Sequence, residues 1–181
     1  LLFDPIAAIF RKIFDELYSM KHMMIVAFAL CISAPLAFAI TPIHTDPQTP
    51  DPHLTPGAWN NPPTPLDTLC ASGYTTTVRN VPKSVKDKVF EEYGYDPKSI
   101  NKGDYEIDHL VSLELDGTND ITNLWPESYV SQPLNAHRKD VLENTLHRLV
   151  CSKQLDLKTA QLAISQDWVA AYQKYVLHKG N

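Results

Sequence analysis

At 181 residues the chain holds at most one ordinary domain with attachments. Its formal net charge of −5 makes it a poor non-specific binder of polyanions, because affinity for nucleic acid comes mainly from neutralised phosphates. Any nucleic-acid role must rest on a local basic patch.

Residue 1 is Leu, and the first convincing start is Met20, so Leu1–Ser19 is expected to be upstream sequence or part of something longer. Lys21 then supplies a short positive region, Met23 to Leu36 an apolar run, and Ala37-Phe38-Ala39 the small-x-small pattern of signal cleavage. Residues 20–39 therefore read as a secretory signal with Ile40 as the mature start. An uncleaved anchor over Met23 to Ile40 is the alternative. The cleavage reading implies an exported protein, periplasmic or extracellular, with no stable membrane association. Removing Leu1–Ala39 takes out three basic and three acidic residues and leaves the net charge unchanged. Cys31 leaves with the signal. In an oxidising compartment Cys70 and Cys151 would form one long-range bridge, the alternative being two buried thiols.

Residues 40–65 contain eight prolines between Thr41 and Pro65 and little to bury. They exclude a helix or central strand and read as a linker, or a strap laid over the domain. Its His44 and His53 read as solvated residues with no ligand role.

The folded domain is expected over residues 66–181. "YTTTVRNVP" is β-branched and reads as a strand ended by Pro82. "SVKDKVFEEYG" reads as a helix with Ser84 as N-cap and Gly94 as its stop. "DYEIDHLVSLEL" alternates, with Tyr105, Ile107, Val111, Leu113 and Leu115 on one parity, and reads as one strand. "DGTND" is a turn, and "NLWPE" a short strand that Pro126 must end. A helix from Pro133 would bury Leu134, Val141, Leu142, Leu146, Leu149 and Val150. A last helix would bury Leu157, Ala160, Ile164, Trp168, Ala171, Tyr172 and Tyr175. The order of strands and helices predicts an α+β domain.

One constellation carries chemistry. His137 lies three residues after Leu134 and four before Val141, which aims it along the stripe facing the hairpin, towards Asp108 and His109. An Asp-His pair facing a helical His can hold one divalent cation with positions left for water and substrate. A satisfied core histidine fits the same spacing.

"YEIDHLVSLELDGTNDITNLWPE" followed by "AHRKDVLE" resembles the HNH endonuclease family. The likeness is to a small secreted subgroup and extends over most of Pro50 to Val176. It implies a ββα-metal core, a hairpin plus helix, with additional flanking helices and the Pro-rich N-terminal strap. It also implies a secreted, metal-dependent endonuclease that hydrolyses phosphodiester bonds of DNA or RNA with low sequence specificity. His109 would be the general base and Asn123 the residue pinning the loop between the strands. Asp108 and His137 would hold one divalent metal ion, with Asp140 as a direct or water-mediated ligand. Magnesium is the foremost candidate, and manganese, nickel and zinc also suit the donors. Arg138 and Lys139 would contact substrate phosphates, while Trp125 and Trp168 are expected in the core.

Three features depart from the family pattern. The usual Gly-Gly after the first strand is Asp116-Gly117, the Asn123-to-His137 spacing is long, and no Cys-x-x-Cys pair is present. Neighbours on a regular strand also point to opposite faces, so Asp108 and His109 share one site only if the strand bends or ends there. The competing expectation is a non-catalytic envelope module on the same fold, binding metal or nucleic acid.

Overall fold

The computed structural model describes residues 48–177; the expected signal segment, His44 and the residues before Gln48 lie outside them. The described residues form an α+β fold around one two-stranded antiparallel sheet. In chain order the elements are α1 (Leu66–Leu69), α2 (Tyr74–Val78), α3 (Lys83–Glu92), β1 (Tyr105–His109), β2 (Leu124–Ser128), α4 (Ala136–Cys151) and α5 (Leu157–Tyr172). None of the described helices is long and apolar enough to cross a membrane.

Tyr74–Val78 is a short helix, not the expected strand. Gly73, at φ 81°, turns the chain just before it, and Thr77 Oγ1 donates to Tyr74 O at 2.7 Å, a local bond that competes with extended backbone. α3 begins one residue ahead of Ser84, with Pro82 at the cap and no side-chain cap bond. Gly94 stops it as expected, at φ 78°.

β1 is shorter than its alternation suggests. It ends at His109, and Leu113–Leu115 form a 3-10 turn instead of more strand. That turn buries Leu113 and Leu115 together under α4 and α5, so period-two spacing survives without a partner strand. Pro126 lies inside β2 opposite Ile107, where it was expected to end the strand. The bonds flanking the ladder, Leu110 N to Asn123 O and Tyr129 N to Asp104 O, leave Ile107 and Pro126 a non-hydrogen-bonded pair. The missing N–H of Pro126 therefore costs the ladder nothing.

α4 starts at Ala136, three residues later than expected, with Asn135 as cap accepting from Arg138 N. Its inner face is Ala136, Lys139, Leu142, Leu146 and Val150, at spacings of three and four. Val141, expected inside, is 43% exposed, and Leu149 is half-buried. α5 buries Ala160, Ile164, Trp168, Ala171 and Tyr172 as its spacing predicts. It kinks at Asp167, whose side chain accepts from Ala170 N and caps the second half. Trp125 and Trp168 both lie in the core.

Residues 48–65 are a strap built into the fold. Thr55 is buried, its hydroxyl 2.9 Å from Leu124 O and 2.7 Å from the Tyr93 hydroxyl, and Gly57 N donates to Thr122 O. Trp168 Nε1 donates to Gln48 O, across 120 positions of sequence. Cys70 and Cys151 form a disulfide, compatible with an oxidising, exported location.

Candidate functional site

The pleat sorts β1 into two faces, and the two residues of the Asp-His pair part company across it. Glu106, Asp108 and the cross-strand Glu127 share one face, against α4. His109 lies on the other, where the strand ends.

On the α4 face the chain places a lysine among carboxylates. Lys139 is 1% exposed, and its Nζ donates to Asp108 Oδ2 at 2.5 Å, to His109 O at 2.9 Å and to Glu143 Oε1. Six carboxylates feel this one ammonium: Glu106, Asp108, Glu114, Glu127, Asp140 and Glu143. Burial raises Glu106, Glu114 and Asp140 from their ordinary values and Glu127 well above its own, and pushes Glu143 to about 8 against the pull of Lys139. Burial acts on Asp108 too, but the charge and hydrogen bond of Lys139 prevail and hold it low. Lys139 itself is raised, the carboxylate charges outweighing its burial.

This arrangement revises the expected ligands. His137 does not face the hairpin. Its side chain is 71% exposed, stacked on Tyr129 at 5.2 Å, and its Nδ1 lies 4.0 Å from Asp140 Oδ2. Leu134 precedes the helix and cannot set its phase; the stripe begins at Ala136, and one step further rotates His137 outward. Lys139, expected on phosphate, is sealed inside by its carboxylate partners. Arg138 remains exposed, 3.3 Å from the Tyr172 hydroxyl.

Among the described residues, the carboxylate oxygens that converge within 4.8 Å are those of Glu106, Asp108 and Glu127. Glu127 is 1% exposed and its Oε1 has no hydrogen-bond partner. An orphaned buried carboxylate oxygen beside two others, with one ammonium among six carboxylates, fits a hard divalent cation. Cys70, His147 and Cys151 also converge, but the disulfide removes both thiolates as ligands.

The other face holds the base candidate. His109 is 2% exposed, and its Nε2 lies 3.1 Å from Asn119 Oδ1. Burial lowers its pKa, with Arg79 and Lys139 adding to the effect and Asp108 and Asn119 opposing it, so the ring is neutral at pH 7.

Asn123 holds the loop that joins the faces. Fully buried, it accepts from Val111 N at 2.9 Å and Ala58 N at 3.2 Å, and donates to Val111 O and Thr118 O. The Asp116-Gly117 departure also finds its reason. Asp116 takes the left-handed conformation at φ 66°, and its buried carboxylate accepts from Asn60 Nδ2 and Thr64 N of the strap. At Gly117 a Cβ would sit 1.8 Å from Val111 O, so only glycine fits.

Glu106, Glu127, Glu143, Asn119 and Arg79 were missed. Glu106 and Asp108 are two apart on a strand, and Lys139 and Glu143 four apart on a helix, so both pairings were legible. Nothing in the sequence marks Asn119. A cavity of about 450 Å³ between strap and α5, lined by Thr55, Leu110, Ile164 and Trp168, includes none of these residues. Compared with known protein families, curated proteins and solved structures, the chain matches none.

Proposed function

We propose that the protein is a metal-dependent phosphodiesterase of the ββα-metal kind, cutting DNA or RNA. The observation that carries the reading is His109, buried and hydrogen-bonded where β1 ends and close enough to Asp108 to feel its charge across the strand, with the carboxylates around Asp108 able to hold a divalent cation. A cation held there by Asp108 with Glu106 and Glu127 would neutralise phosphate charge. His109 is suited to take a proton from water, since a neutral imidazole accepts one near pH 7. Asn123 keeps the loop after His109 in place by holding both the N–H and the C=O of Val111. Arg79, exposed and near enough for its charge to lower His109, is the cation best placed for a phosphate on that side.

A second reading has its own observation. Lys139 already donates to Asp108, so the cluster also suits a non-catalytic ionic knot, or a metal-binding module. One assay separates them. The oxidised protein is incubated with plasmid DNA or RNA and magnesium, manganese, nickel or zinc, beside a His109→Ala variant of matching circular dichroism. Metal-dependent cleavage lost in the variant supports the nuclease. A folded wild type that leaves both substrates intact with every metal removes it, and titration calorimetry with the same ions then tests the binding module.

A further inference from the structure

The hydrogen bonds around Asn119 settle which nitrogen of His109 carries the proton. Asn119 Oδ1 lies 3.1 Å from the backbone nitrogen of Asn80, and Asn119 Nδ2 lies 2.8 Å from Val78 O. A backbone N–H can only donate and a backbone carbonyl can only accept. A flipped amide would set donor against donor at Asn80 and acceptor against acceptor at Val78, so the side chain has one orientation. Its oxygen therefore faces His109, and an amide oxygen only accepts. The neutral ring must carry its hydrogen on Nε2 and its lone pair on Nδ1. Among the described residues Nδ1 has no hydrogen-bond partner, and it is not one of the polar atoms sealed from solvent.

We infer that Asn119 is a positioning residue: it holds His109 as the Nε2–H tautomer and leaves Nδ1 as the nitrogen that takes the proton from water. The step balances simply. The water O–H bond breaks and its proton goes to Nδ1; the oxygen bonds to phosphorus as the bond from phosphorus to the leaving ester oxygen breaks, and that oxygen departs and takes a proton from solvent. The catalytic half rests on the nuclease reading above; the tautomer does not. Asn119 is gripped on two sides by backbone from the end of α2, so residues 78–80 become part of the apparatus that aims the base. This gives the segment beyond the hairpin a task the hairpin cannot perform for itself.

The test is long-range ¹H–¹⁵N correlation on the His109 ring, in ¹⁵N-labelled protein at a pH where the ring is neutral. Wild type is expected to give the Nε2–H pattern alone. Asn119→Leu, with no acceptor, should give a mixture of tautomers, a fall in kcat of tenfold or more and little change in KM. Asn119→Asp keeps an acceptor oxygen and should keep the Nε2–H pattern, which decides the matter if the Leu variant does not fold. A wild-type Nδ1–H pattern, or a folded Leu variant still wholly Nε2–H, overturns the inference. An Nε2–H wild type that cleaves nothing would sink the nuclease reading and leave the tautomer assignment standing.

Discussion

Replacing Lys139 by Met would strip the ammonium from the α4 face and leave the charged Asp108 carboxylate buried without a counter-charge, Glu143 being mostly protonated at pH 7. Breaking a buried ion pair from one side typically costs about 3–5 kcal/mol. Lys139→Met should lose about that much stability at pH 7, with a smaller loss at pH 5, where the abandoned Asp108 carboxylate can more readily protonate. Urea unfolding at the two pH values checks it, and an equal loss at both would mean packing, not charge, is at stake. The same residue marks where reading the chain failed. Lysine occupies an inner position flanked by Ala136 and Leu142, a place that hydrophobic spacing assigns to an apolar side chain. A buried charge has no periodic signature, because partners on other elements make it tolerable. Asn123, by contrast, was legible as the loop pin.

Among elements, the hairpin was the most readable and its ends the least. Alternation located β1, and "DGTND" located the turn, but where β1 stops depends on tertiary contacts of Leu113 and Leu115 that no short window contains. The helix after Gln132 was foreseen, and its phase was misjudged from Leu134, which lies ahead of it. That single error turned His137 inward and Lys139 outward. The α4 face also predicts a pH dependence. Glu106, Glu114, Glu127, Asp140 and Glu143 are raised, so the folded chain binds more protons than the unfolded one, from the ordinary 4.5 of Glu143 up to about 8. Their stabilisation is complete below the unfolded values and is lost as pH rises through the folded ones. His109, lowered, acts the other way: its contribution is lost as pH falls below the ordinary 6.5. Glu143 is the group whose folded value, about 8, spans the window above pH 6.5, so Tm without divalent ions should fall between pH 6.5 and 8. Magnesium or manganese should restore more of it at pH 8 than at pH 5, as a cation replaces the missing protons. Scanning calorimetry at both pH values, with and without the ion, tests this; no difference would argue against a cation on that face.

At the scale of the molecule, the disulfide closes a separation of 81 residues between the end of α1 and the end of α4. In the chain-entropy account a closure of that length stabilises by about 4 kcal/mol. Reduction, or the double change Cys70→Ser and Cys151→Ser, should lower the unfolding free energy by about that amount in a denaturant titration. A loss under 1 kcal/mol would mean the strap and core suffice alone. The bridge was legible as a pairing of the two cysteines outside the expected signal, because an oxidising location and an even count would demand nothing local. The strap was readable as non-helical, though its role was not: Thr55, Asn60 and Thr64 bond to Leu124 and Asp116, partners that only the fold brings near. The closure also has a topological consequence. Asp108, His109, Asn119, Asn123 and Lys139 all lie inside one covalent ring, Cys70 to Cys151. A protease that cut the exposed segment at Val130, which is 61% accessible, would linearise the ring without dividing the molecule. Both halves of the site would stay leashed to each other, able to re-form in place, so the ring makes a single backbone cut there survivable.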